Sequence, residues 1–158
     1  MSIKNTILAI FVLCVFSMNV YAESEKDVQI HAMLTEMDKA IANKDADTVA
    51  QYLDDNIHII LKVTAGDKEQ LFQFNKTDYL KKLQEGWEVT EEYTYTRDKV
   101  AIEYIGKGNK AVVTASVYEL SVVAGRPMAA LSHEKALIEF RDTGPIMMTL
   151  TAKTDVRM

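Results

Sequence analysis

Residues 46–63 read Ala-Asp-Thr-Val-Ala-Gln-Tyr-Leu-Asp-Asp-Asn-Ile-His-Ile-Ile-Leu-Lys-Val, and the hydrophobic period changes inside this stretch. Asp45 is placed to cap a short helix over Ala46 to Leu53, with Val49, Tyr52 and Leu53 on its inner side. Asp54-Asp55-Asn56 stops the helix. Ile57 to Val63 is then a β-branched run that reads as a strand. Its register decides what the strand shows to the interior. One register buries Ile57, Ile59 and Leu61; a slip of one residue turns His58 inward instead. The first is preferred because it gathers three branched apolar side chains on one face.

Upstream, Ile30, Met33, Leu34, Met37, Ala40 and Ile41 recur at three- and four-residue steps, which predicts an amphipathic helix over about 26–43. His31, Glu36, Asp38 and Lys39 fall off its apolar stripe. Downstream, Ala65-Gly66-Asp67-Lys68 reads as a hairpin turn into Gln70 to Phe74. Asn75 with Asp78 three residues later resembles a capping box. The helix that it opens has Tyr79, Leu80 and Leu83 on its apolar side, Gly86 at its end and Trp87 just beyond. Long strands follow near 89–105, 110–123, 129–141 and 146–157, separated by Gly- and Pro-containing turns. Ala111, Val113, Ala115 and Val117 alternate with more polar partners, as do Ile146, Met148, Leu150 and Ala152.

The chain's beginning carries an export signal. Lys4 is followed by the apolar stretch Ile7 to Phe16, and Val20-Tyr21-Ala22 offers a cleavage site. Cleavage near Ala22 divides the chain into a signal peptide, residues 1–22, and one domain, residues 23–158. The expected location is periplasmic or secreted, with no stable membrane insertion after cleavage. Cys14, the sole cysteine, leaves with the signal, so neither a disulfide nor a thiolate ligand is expected in the domain. Eighteen basic and 23 acidic residues give −5 overall, and loss of Lys4 makes the domain −6. An acidic chain without a Lys/Arg cluster in sequence argues against nucleic acid as a partner.

Helix, helix, hairpin, helix and a meander of long strands is the element order of the nuclear transport factor 2-like (NTF2-like) superfamily. The chain resembles its bacterial SnoaL-like and ketosteroid-isomerase-like branch. The likeness is carried by the stretch from Ala46 to Asp55, by Asn75-Lys76-Thr77-Asp78-Tyr79-Leu80, and by Gly108-Asn109-Lys110-Ala111-Val112-Val113-Thr114. It covers nearly the whole domain in element order, and its motifs specify fold rather than activity. The resemblance implies an α+β fold in which a curved antiparallel sheet wraps three helices from the N-terminal half around a conical, mostly apolar pocket. Members include isomerases, dehydratases, cyclases, non-catalytic binders and dimerisation modules, so function must come from the site. Two departures bear on it. Where ketosteroid isomerases carry a proton-abstracting aspartate, the count along this chain reaches Ile60. Where many relatives have Gly-x-Trp, this chain has Gly144-Pro145-Ile146.

The candidate catalytic residues are His58, should it face the pocket, and Glu119. Glu119 alternates in phase with Val113, Ala115 and Val117, so an inward face would bury its carboxyl and raise its pKa. His133 and Glu134 are adjacent on one strand and should point to opposite faces rather than form a dyad. Candidate ligand contacts are Met33, Met37, Trp87, Tyr104, Tyr118 and Met148, adaptable or amphipathic side chains suited to a small apolar ligand. No metal-ligand spacing stands out, and no metal or other cofactor is expected. Glu91 to Thr96, alternating aromatic and hydroxyl residues, suits an outer sheet surface that pairs in a homodimer. Three functions follow as expectations: a non-catalytic periplasmic binder, an isomerase, dehydratase or cyclase, or a protein-interaction module of the inhibitor or immunity kind.

Overall fold

The computed structural model describes residues 24–157; the expected signal peptide and its cleavage site lie outside them. Helix α1 spans Glu25–Ala42. Ser24 caps it by accepting from the Asp27 backbone N–H while the Asp27 carboxylate accepts from that of Ser24. Its buried side chains are the six of the predicted stripe. Asp45 caps α2, Ala46–Gln51. Strands β1, Leu53–Ala65, and β2, Lys68–Phe74, form the hairpin. Asn75 caps α3, Lys76–Glu88.

Gly86 does not end α3. The helix runs one more half-turn because Trp87, 7% exposed, buries its indole in the core. Lys44 donates to the carbonyl of Trp87 in the last turn of α3 (3.0 Å) and to that of Thr90 just beyond it (2.8 Å), tying the turn after α1 to the end of α3.

The remaining strands are β3, Thr90–Ile105, β4, Lys110–Val123, β5, Arg126–Arg141, and β6, Gly144–Arg157. All six strands form one sheet in the order β2-β1-β6-β5-β4-β3. The meander from β3 to β6 is antiparallel, but β1 and β6 pair in parallel, so the sheet is mixed. Parallel neighbours need a long connection, and here residues 66–143 lie between them. No local turn signal can announce such a pair.

The sheet's concave side packs on the helices. Ile59, Ala111, Val113, Ala136, Ile138 and Leu150 meet the apolar stripe of α1 and Val49 of α2 in a single core. Two irregularities change which side chains face it. In β6, Leu137 of β5 pairs with Thr149 and Ile138 with Met147, so Met148 is an extra residue. This bulge reverses the alternation, burying Met147 in the place expected for Met148. In β3 the register shifts between Asp98 and Ala101, where Lys99 has φ 54°.

Candidate functional site

Beyond the packed helices the concave face opens into a cavity of about 330 Å³. Its walls are Leu61 and Val63 of β1, Tyr79 and Leu83 of α3, and Leu150 and Val156 of β6. An apolar recess of about 280 Å³ shares Leu61, Val63, Tyr79 and Leu83 and extends to Phe72 and Phe74. The polar part is small: Glu119, Ser132, Glu134 and Thr154 bring the chief side-chain oxygens, joined by the Tyr79 hydroxyl.

Glu119 lies on β4 opposite Tyr95 of β3 and Ala130 of β5, hence on the concave face. Tyr93 donates its hydroxyl hydrogen to Glu119 Oε1 at 3.1 Å. Burial raises the Glu119 pKa; the Tyr93 hydrogen bond opposes the rise and the nearby Glu134 charge adds to it. Tyr93 and Tyr79 are themselves held protonated, chiefly by burial and then by neighbouring carboxylates.

Behind this pair sits a second polar group. Arg97, with a side chain only 7% exposed, donates from Nε to both Asp38 oxygens (3.0 and 3.2 Å). Its Nη1 donates to Glu134 Oε2 at 2.6 Å and its Nη2 to the Tyr95 hydroxyl at 2.7 Å. A guanidinium taken out of water needs this degree of pairing. Burial works against its charge, but the Glu134, Tyr95 and Asp38 partners prevail and hold it firmly protonated. Asp38 is nevertheless raised, because burial outweighs the Arg97 attraction.

Of the candidate catalytic and ligand-contact residues, only Glu119 lines this cavity. His58 is exposed on the convex face, since Ile57 and Ile59 take the buried positions. Ile60 also lies off the concave face, and its inward neighbours Ile59 and Leu61 are hydrocarbon, so no carboxylate from this part of β1 enters the cone. Met33 and Met37 are spent on the helix–sheet core, and Trp87 packs there from the end of α3. Tyr104 holds the start of α1, donating to Asp27 at 2.6 Å and stacking on Phe140. Tyr118 is 44% exposed on the convex face, one residue out of phase with Glu119. Met148 stands on the bulge, where its Sδ accepts from Arg141 at 3.3 Å.

The stretch from Glu91 to Thr96 needs the same correction. Tyr93 and Tyr95 face the concave side and pack against the core, leaving the threonines for the outer surface. Their period-two phase with Arg97 was the available signal for the polar group. The partners Asp38 and Glu134 are 59 and 37 residues away and carried none. Glu134 and His133 do point to opposite faces: His133 Nδ1 lies 3.3 Å from Ser116 Oγ on the convex side. Among the described residues no three His, Cys, Asp or Glu side chains gather as a metal site would need.

No family model matches the chain, and no curated protein matches it. Solved structures do. A scytalone dehydratase-like protein from Novosphingobium aromaticivorans superposes with TM-score 0.67 at 10% identity, over 82% of this chain and 84% of its own. The hexachlorocyclohexane dehydrochlorinase LinA-type3 from Novosphingobium barchaimii gives 0.61 at 11% identity, over 80% and 84%. An NTF2-like protein from Cytophaga hutchinsonii gives 0.63 at 13% identity, over 82% and 98%.

Proposed function

The fold is NTF2-like, and we propose that this chain is an exported binding protein that holds a small uncharged apolar or amphipathic molecule in its cone without transforming it. One observation carries the reading: the cavity offers an incoming ligand no unpaired cation. Neither lysine nor arginine lines it, and Lys82 at the adjoining recess is paired with Glu85. The guanidinium behind its wall already donates to Asp38, Glu134 and Tyr95. Glu119 is pushed towards its neutral form by burial. An anion would meet two carboxyl groups and no cation. A neutral molecule would bury its hydrocarbon against Leu61, Leu83, Leu150 and Val156 and place one polar atom at the Glu119–Tyr93 pair. The neighbouring dehydrochlorinase is named for a substrate of this kind, an uncharged chlorinated ring.

A second reading has its own observation. A buried carboxyl with a raised pKa beside a phenol is suited to move a proton on and off a bound molecule, as an isomerase or dehydratase requires. The reading as an inhibitor or immunity module draws on neither feature. The homodimer proposed with the binding function uses the β3–β4 end of the outer sheet face, where Tyr118 and Leu120 are 44% and 58% exposed beside Thr96 and Thr94, and leaves the middle of that face open.

Native mass spectrometry of the protein from its own host tests these points together. The expected protomer starts at Glu23, forms a dimer and carries a mass excess that disappears on denaturation. An intact N-terminus would sink the export reading, and a bare protein across preparations would sink the binding one. Glu119→Gln separates the two functions. A binder retains the same molecule, more weakly; an enzyme accumulates a different, unreacted one.

A further inference from the structure

The convex face carries a groove of about 580 Å³ across the middle of the sheet, on the side away from the cone. Its lining includes Lys62, Lys99, Lys135 and Lys153, together with His133 and the hydroxyls of Thr114, Ser116 and Thr151. In a chain with net charge −5 this is a local reversal of sign. Lys62 of β1 and Lys153 of β6 are register partners, and His133 of β5 is opposite Lys153. Lys135 pairs with Thr151, which makes it the diagonal neighbour of Lys153. Like charges so placed repel and weaken a sheet.

Only one of the four lysines is neutralised within the molecule. Lys62 meets Glu69 at 2.8 Å, whereas Lys99, Lys135 and Lys153 form no ion pair among the described residues. Further acids share this face: Asp98, which accepts from the Lys99 backbone N–H at 2.7 Å, Asp155, the register partner of Leu131, and, towards the sheet's ends, Glu92, Glu103 and Glu139. Glu134, whose carboxylate is held by Arg97, also borders the groove. None of these forms an ion pair with Lys99, Lys135 or Lys153. Lys99 adds a second observation. It sits on the β3 bulge at φ 54°, a conformation that a β-carbon disfavours. Bulges of this kind redirect a side chain, and here the redirected ammonium lines the groove.

We propose that this groove is a second binding site, taking a small organic polyanion of the carboxylate or phosphate type on Lys99, Lys135 and Lys153. Its volume is that of a small-molecule site. The Thr114 hydroxyl supplies a neutral donor between the ammonium groups, whereas the Thr151 hydroxyl already donates to the Lys135 carbonyl and Ser116 pairs with His133. The site is independent of the cone and of what the cone holds.

The test titrates the protein at low salt with two probes, citrate and inorganic pyrophosphate, following amide shifts by NMR and affinity by calorimetry. Shifts should concentrate at 114–116, 133–135 and 151–153. Binding of both probes defines a general polyanion site; binding of one alone assigns it to carboxylates or to phosphates. Lys135→Gln combined with Lys153→Gln should weaken binding about tenfold. Lys39→Gln combined with Lys81→Gln removes the same charge from exposed helix positions and should change it less than about twofold. Lys153→Gln alone should raise the ligand-free Tm by roughly 1–4 °C, since it relieves repulsion. The proposal fails if neither probe binds, if the two double variants lose affinity equally, or if a second copy of the chain already covers these lysines.

Discussion

The two faces of the sheet treat charge in opposite ways. On the concave face Arg97 is enclosed and each of its donor nitrogens has a partner. On the convex face three lysines stand near one another with none. Water accounts for the difference. An exposed ammonium is solvated and can wait for a counterion, whereas a buried guanidinium must be paired when the chain folds. The unpaired charges therefore mark where an ion can still bind, and the satisfied ones mark a wall. Reading charge type alone would place an anion beside Arg97, where the geometry leaves no vacancy for it.

The sharpest way to break this contrast is Arg97→Met. Removing the guanidinium leaves Asp38 and Glu134 facing each other with little water, and urea unfolding should show a loss of about 3–5 kcal/mol. A loss below about 1 kcal/mol, the range of an exposed pair, would mean that the concave face is as wet as the convex one.

A smaller effect is expected from Glu119→Gln, and its sign depends on pH. The folded state raises the Glu119 pKa, so it binds the proton more tightly than the unfolded chain does. The stability this brings is complete below the ordinary glutamate pKa and is lost as pH rises through the folded one. Asp38 is raised as well and contributes in the same direction. Wild type should therefore lose stability on going from acid towards neutral pH, and the glutamine variant should lose less. Identical slopes in parallel urea titrations would show that Glu119 is solvated.

The smallest effect sharpens the comparison from the other side. His58→Ala removes an exposed convex side chain and should change stability by less than about 0.5 kcal/mol, leaving cone occupancy untouched. Loss of the cone ligand in this variant would place the histidine in a role that its position denies it.

Much of the fold was legible because its signals are local. The stripe Ile30, Met33, Leu34, Met37, Ala40 and Ile41 is buried as its period demands, and Asp45 and Asn75 cap the helices they precede. Ile57 and Ile59 are buried while His58 is exposed, as the register that groups branched side chains requires. The candidate site was legible only at Glu119, which alternation put in phase with Val113, Ala115 and Val117, while the inward direction of that face came from the structure. Met148 was misplaced because one extra residue in β6 reverses that phase, and a bulge leaves no mark on hydrophobic period. Met33 and Met37 were placed on the inner stripe of their helix, but they and Trp87 were offered as ligand contacts and are packed core instead, because composition cannot separate core from cavity wall.

The sequence by itself thus determined the order of helices and strands, their caps and the apolar face of most of them. These depend on residues within one or two turns of each other, where backbone geometry sets the spacing. The tertiary structure alone decided that β1 and β6 run parallel, that Asp38, Tyr95 and Glu134 converge on Arg97, and that lysines from β1, β3, β5 and β6 share one groove. Those groupings are set by cross-strand register and sheet curvature. Both arise from contacts between residues far apart in the chain, to which no local pattern is tied.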